Sequence, residues 1–228
     1  MNYNAPWESD FPPVYYHTSV SFLKSCAGYY KAKQGDCISA VNTVDECVKP
    51  DIINRLKKEY PRAVLLPVLT DTDNRLPAAF AERIGLRVHY GIYAACNIRR
   101  KTLSGLERIL FSPVFTGDVI KGAQYIIVDD VVTQGGTISA LRRFVMRGGA
   151  TVAAVTALAC SAGSVCLSPE SGLIERIINK FEADELTEIL NRYALAESIH
   201  ELTNSQVKYL LRYKNIKKLN HRIKMLLK

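Results

Sequence analysis

No apolar run in this 228-residue chain approaches the length a bilayer-spanning helix needs, and the opening residues, MNYNAPWESD, lack the basic-then-apolar layout of a secretory signal. A cytoplasmic protein is therefore expected. The six cysteines, Cys26, Cys37, Cys47, Cys96, Cys160 and Cys166, include no CxxC pair. A zinc site made from Cys26, Cys37 and Cys47 with His17 would lack the close ligand pairs usual for zinc, so reduced and mostly buried thiols are expected instead. Internal repeats and low-complexity tracts are also missing. One acid-free stretch is strongly basic: Lys208 to Lys228 holds eight basic residues and no acid, and those eight equal the +8 net charge of the whole chain. The remainder is nearly neutral. With 48% hydrophobic and 23% charged residues, the chain can bury a sizeable core as one α/β domain with an appendage.

The stretch that organises the rest is Gln124 to Ala150, QYIIVDDVVTQGGTISALRRFVMRGGA. Tyr125 to Val128 has the apolar, β-branched composition of a buried central strand. Asp129 and Asp130 stand at its end, followed by the loop Thr133-Gln134-Gly135-Gly136-Thr137. A helix follows, with Ile138, Leu141 and Val145 inward and Arg142, Arg143 and Arg147 facing elsewhere, and Gly148-Gly149 stops it. Ala150 to Ala159 reads as the next parallel strand. A glycine pair lets successive N–H groups converge, and the new helix adds its positive end, which suits a phosphate. Thr133 and Thr137 can donate hydroxyls to the same anion. The aspartates lie where a sugar on that phosphate would present hydroxyls to a carboxylate, so the combination suits a ribose 5-phosphate.

The run VDDVVTQGGT resembles the phosphoribosyl pyrophosphate (PRPP) signature of type I phosphoribosyltransferases, and the layout follows that family from about Arg62 to Ala159. The resemblance implies that Asp129 and Asp130 hold the ribose, directly or through Mg2+, and that residues 133–137 hold the 5-phosphate. It also implies that the loop after the first core strand, AVLLPVL over Ala63 to Leu69, binds the diphosphate. Thr70, Asp73, Asn74 and Arg75 are the candidates there, beside Asp71. Unlike the family pattern, this loop contains no glycine. A flexible arm before the signature strand would fold over PRPP, and Arg99, Arg100 and Lys101 occupy that interval, with Arg108 a further candidate. A basic hairpin tip facing solvent is the other reading of that triplet. Thr133 stands where purine-salvage members commonly carry an acid, which argues against a hypoxanthine or guanine acceptor.

Before the core, residues His17 to Lys33 are predicted as a helix, Cys37 to Val48 is ambiguous, and Pro50 to Glu59 is a second helix. These N-terminal helices would form a hood over the site. Leu86 to Tyr93 is a further strand candidate. Residues 161–169 read as a boundary, giving a phosphoribosyltransferase-like core over 1–166 and a basic helical extension over 167–228. The expected fold is a doubly wound α/β domain with a mainly parallel sheet and its ligand at the carboxyl edge of the strands. The expected function is a Mg-dependent pentosyltransferase, oligomeric, moving phosphoribosyl between PRPP and a nitrogenous base. A PRPP or nucleotide sensor remains open, as does a defence or toxin-system effector. In either, the 208–228 segment would contact nucleic acid or a protein partner.

Overall fold

A computed structural model of the chain describes residues 6–70, 73–95, 103–161, 166–193 and 195–227. It begins with a departure from the sequence pattern. Tyr15–Ser19 is a strand, β1, where a helix starting at His17 was predicted. Its aromatic and β-branched residues pair in parallel with a later strand from Tyr15↔Thr156 to Ser19↔Cys160, and that ladder outweighs the helical spacing of Val20 and Leu23. Helix α1 (Val20–Ser25) starts only where the Ser19 hydroxyl accepts the Phe22 N–H, and α2 (Tyr29–Ala32) follows a break at Cys26–Gly28. Tyr30 is exposed. The ambiguous segment is helix α3 (Cys37–Cys47), opened by Asp36, whose carboxylate accepts the Ser39 N–H at 2.6 Å.

Helix α4 (Pro50–Glu59) and strand β2 (Val64–Pro67) then occur as expected, and helix α5 (Leu76–Ile84) follows and closes on a left-handed Gly85. The strand expected over 86–93 is reduced to one parallel bridge between Val88 and Leu65. The chain then forms β3 (Ile92–Ala94), α6 (Gly105–Leu110) and β4 (Phe115–Gly117), with β3 and β4 antiparallel. The signature stretch forms β5 (Gln124–Val132) and α7 (Gly136–Arg147), and β6 (Thr151–Cys160) follows. Beyond residue 166 come α8 (Ser171–Phe181) and α9 (Ala183–Arg192), separated by Glu182 at φ +58°, then α10 (Asn204–Leu210) and α11 (Ile216–Leu226). α10 and α11 are separate because the Asn215 side chain accepts the Lys218 N–H and opens a new helix.

Among the described residues the main sheet has four parallel strands in the order β1-β6-β5-β2. Alternate residues of β5 serve opposite faces. Tyr125 and Ile127 pack with Ile138, Leu141 and Val145 of α7. Ile126 and Val128 pack with Leu23, Val44, Leu56 and Phe80 from the α1–α5 side. Helices therefore cover both faces, as a parallel sheet requires, and all four strands end at one edge. A third apolar cluster joins α8–α11 to Leu106 and Ile109 of α6.

His17, within β1, is fully buried and its partners are internal. Its Nδ1 accepts the Lys49 N–H at 2.9 Å, and its Nε2 lies 3.4 Å from the Thr156 hydroxyl. Burial, helped by Lys49, pulls the imidazole down to about 4. Between pH 6.5 and about 4 the unfolded chain therefore binds a proton that the folded chain refuses, and stability falls as pH falls. The expected loss is about 3 kcal/mol by pH 4. Urea titrations should find this slope in the wild type and a smaller one in His17→Asn, whose side-chain oxygen can still accept from Lys49. Among the described residues no group of three or more His, Cys, Asp or Glu could hold a metal, so the zinc alternative has no structural counterpart there. Cys26 and Cys47 are buried thiols, 3.6 Å apart.

Candidate functional site at the carboxyl edge

The carboxyl ends of adjacent β2 and β5 bring two of the predicted segments together. Asp129 and Asp130 are buried at the end of β5, 8% and 5% exposed. Asn74, from the loop after β2, reaches Asp130 Oδ1 with its amide at 3.4 Å, and its own carbonyl oxygen accepts the Leu76 N–H. Arg75 helps open α5 and donates its N–H to Ala32 O at 3.0 Å, while Asp73 lies against Gly35. A third segment joins that sequence reading did not anticipate. Lys33, just after α2, forms an ion pair with Asp130 Oδ2. Its only local signal is the turn Gln34-Gly35-Asp36, which says nothing about a partner 97 positions away.

Electrostatics make the acid pair unusual. Burial, then the neighbouring Asp130, pushes the Asp129 carboxyl well above the usual carboxylate range, and the Asp130 N–H donated to Asp129 Oδ1 at 2.8 Å offsets part of it. Burial alone would depress the Lys33 ammonium, but the attraction of Asp130 outweighs it and the net shift is upward. Lys33 already compensates Asp130 with positive charge. The donor set therefore does not fit a magnesium ion coordinated directly by the pair.

Thr133 to Thr137 forms the turn into α7. Gly135 adopts φ +73°, and a Cβ there would lie 2.4 Å from Leu167 Cδ2 and 3.3 Å from Thr203 Cγ2. Only glycine satisfies both the left-handed conformation and that contact. The early amides of α7 have no intrahelical acceptor, as at any helix start. Thr133 is exposed, while Gln134 and Thr137 are half-buried. The Gln134 carbonyl accepts the Thr203 hydroxyl at 2.6 Å, and the Ser139 hydroxyl donates to Glu201 O at 3.1 Å. The segment before α10 thus grips the loop from outside.

Arg142, Arg143 and Arg147, expected to face away from the core, form the rest of that seam. Arg142 is 2% exposed, bonded to Pro6 O and Glu8 and stacked 4.5 Å from the Trp7 ring centroid. Arg143 pairs with Glu201 at 3.6 Å and Arg147 with Glu197.

A cavity of about 580 Å³ lies between this loop and the C-terminal helices. Thr133, Gln134 and Ser161 form one side, and Arg108 reaches in from α6. The other side is Ser205, Lys208, Tyr209 and Arg212, so Arg108 lines this cavity. Arg99, Arg100, Lys101 and Asp71 lie outside the described residues. Ser205, Lys208 and Arg212 were missed as site residues because their charge and spacing were visible but their destination was not.

With that geometry in view, the chain can be compared with known proteins. No family model matches it. It is 34% identical over 185 residues to Protein TraN of Escherichia coli and 30% identical over 150 residues to an uncharacterized protein of Haemophilus influenzae. These alignments cover 77% and 62% of this chain, and the chain spans only 41% and 34% of those longer proteins. Similar solved structures include a purine phosphoribosyltransferase from Pyrococcus horikoshii, at TM-score 0.33 and 21% identity, covering 48% of this chain and 67% of that one. An adenine phosphoribosyltransferase from Saccharomyces cerevisiae gives TM-score 0.33 and 13% identity, with 52% and 72% covered. No helix among the described residues is long and apolar enough to cross a membrane.

Proposed function

We propose that the chain is a phosphoribosyltransferase-like protein that binds PRPP, or a nucleoside 5′-phosphate, across the carboxyl edge of its sheet. One observation carries this reading: an acid pair ends β5 immediately before a glycine turn and a helix start, with Asn74 of the neighbouring loop in hydrogen-bond reach of it. In this reading the amides of residues 135–137 and the hydroxyls of Thr133 and Thr137 hold the 5-phosphate. Asp129 and Asp130 face the ribose hydroxyls, and Lys33 fixes the orientation of Asp130. Transfer would break the bond between the anomeric carbon and diphosphate and form a bond to a base nitrogen, whose proton is released. The protein contributes chiefly position and charge balance. Magnesium would arrive with the diphosphate as part of the substrate. Arg75 and Arg108 supply cations for the leaving group, with Arg99 to Lys101 as the proposed arm.

Calorimetry with magnesium and PRPP tests the binding. Removing a hydroxyl that bonds a charged phosphate should weaken affinity about tenfold, so Thr137→Val is expected to do so. No detectable PRPP binding at millimolar PRPP would overturn the reading. A second reading, a PRPP or nucleotide sensor, is favoured by the Lys33–Asp130 ion pair and by the glycine-free loop after β2, because neither needs turnover. Labelled PRPP incubated with a panel of bases separates the two: diphosphate release identifies the transferase, and tight binding without release identifies the sensor.

A further inference from the structure

The cavity beside the glycine turn carries more positive charge than a single phosphorylated sugar needs. Ser205, Lys208, Tyr209 and Arg212 follow one another at helical spacing, so one face of α10 and the turn after it looks across at Thr133 and Ser161. That face is held in place from both ends. Thr203, which caps α10, bonds to the Gln134 carbonyl at 2.6 Å, and the Tyr209 ring packs so closely on α6 that a Cβ at Gly105 would lie 2.1 Å from it. Lys208 has one acidic partner, Glu170 at 3.1 Å, in an exposed pair of the kind that contributes little. The Arg212 guanidinium lies 5.2 Å from the Tyr209 ring centroid.

The charge continues outward. Lys214, Lys217, Lys218, Arg222 and Lys224 are all exposed, and no Asp or Glu occurs from residue 202 to the end. Leu219 and Ile223 bury the other side of α11, so these cations form a fixed face. Arg222 sits within electrostatic reach of Glu107 on α6 and of Tyr213, on the side where Arg108 lines the cavity. Among the described residues, Glu170 and Glu107 are acids facing this row. Two or three cations suffice for a diphosphate. A longer row opening from the same cavity suits a repeating polyanion, and aromatic rings among the cations suit unpaired bases.

We propose that the C-terminal helices bind a single-stranded nucleic acid. Its terminal phosphate enters the cavity at Thr133 and Gln134, where the phosphate loop borders it, and its backbone follows Lys208 and Arg212 onto α11. This rests on the reading of residues 133–137 as a phosphate loop.

The test uses the full chain and a single-stranded oligonucleotide of about twelve residues, DNA and RNA in turn, with a 5′-phosphate and a 3′ fluorophore. Anisotropy should report binding that weakens steeply as salt rises, and PRPP should displace the strand. Lys208→Glu with Arg212→Glu should weaken the strand by about tenfold or more and reduce the salt slope by about 1.4. Both positions are exposed, so the melting temperature should hold. Binding indifferent to the charge reversal, or not displaced by PRPP, overturns the proposal, as does no strand binding at low salt by a protein that binds PRPP. A strand that binds through Lys208 and Arg212 to a protein that gives no PRPP heat overturns instead the phosphoribosyl reading of the loop.

Discussion

Replacing Lys33 by methionine should destabilise the fold by about 3 kcal/mol near neutral pH, among the largest effects of any single substitution at the site. Methionine keeps the length and apolar stem of the side chain and removes only the ammonium. What remains is the Asp130 carboxylate, 7% exposed, next to Asp129 and with the Asn74 amide at 3.4 Å. Removing one partner of a buried ion pair costs about 3–5 kcal/mol, because the other charge stays buried without compensation. Lys33 is itself 18% exposed, so water reaches the site and the low end of that range applies. Urea midpoints near neutral pH measure the loss. Adding Asp130→Asn to Lys33→Met should restore much of the loss. An unchanged midpoint in the single variant would mean that the ammonium does not compensate Asp130.

That pair also marks where the sequence stopped being informative. The strand and loop of the signature were legible because their cause is local: a β-branched run, two acids, a glycine that must be left-handed and a helix with apolar residues at helical spacing. Gly135 is the clearest case, since both its φ of +73° and the nearby Leu167 side chain require it. The mainly parallel sheet followed from apolar runs alternating with helical segments, although its strand order did not. The position of Lys33 depends on how α2 meets the loop after β2, through Arg75 N–H to Ala32 O, and no short pattern encodes that contact.

Strand β1 was missed for a related reason. Val20, Leu23 and Ala27 look helical in isolation, yet Tyr15 to Ser19 gain a parallel partner in β6 that local propensity does not see. In the C-terminal segment the chemistry was visible and its location was not. Eight basic residues without an acid, and a capping Thr203, could be read directly. That Thr203 would bond to the phosphate loop, and that Lys208 and Arg212 would wall the same cavity, depends on packing of α8–α11 against α6 and α7. A cut after Asn204 would therefore strip Val207, Leu210, Leu219 and Ile223 from an apolar cluster, so charge reversal is the cleaner probe of that face.

The acid pair itself separates ligand chemistry from structural support. Asp129→Asn should raise stability by about 1–2 kcal/mol near neutral pH while weakening PRPP by about tenfold or more. The amide oxygen can still accept the Asp130 N–H that Asp129 Oδ1 takes at 2.8 Å, so the turn is preserved. What disappears is a carboxyl that burial and then Asp130 push well above its ordinary range. A group raised in the folded state supports the fold fully below its unfolded value, near 3.9, and loses that contribution as pH rises through the folded value. The variant does not titrate there, so its advantage over the wild type should be smallest in acid and grow toward neutral pH. Ligand affinity should move the other way, because an amide is a weaker acceptor for ribose hydroxyls than a carboxylate. Thermal melts across pH, paired with PRPP calorimetry, read both quantities on one protein. If the carboxyl served only to hold the turn, the substitution would lower stability or leave it unchanged, and PRPP would bind as before. A rise in stability together with a loss of affinity is the pattern of a residue kept for its ligand.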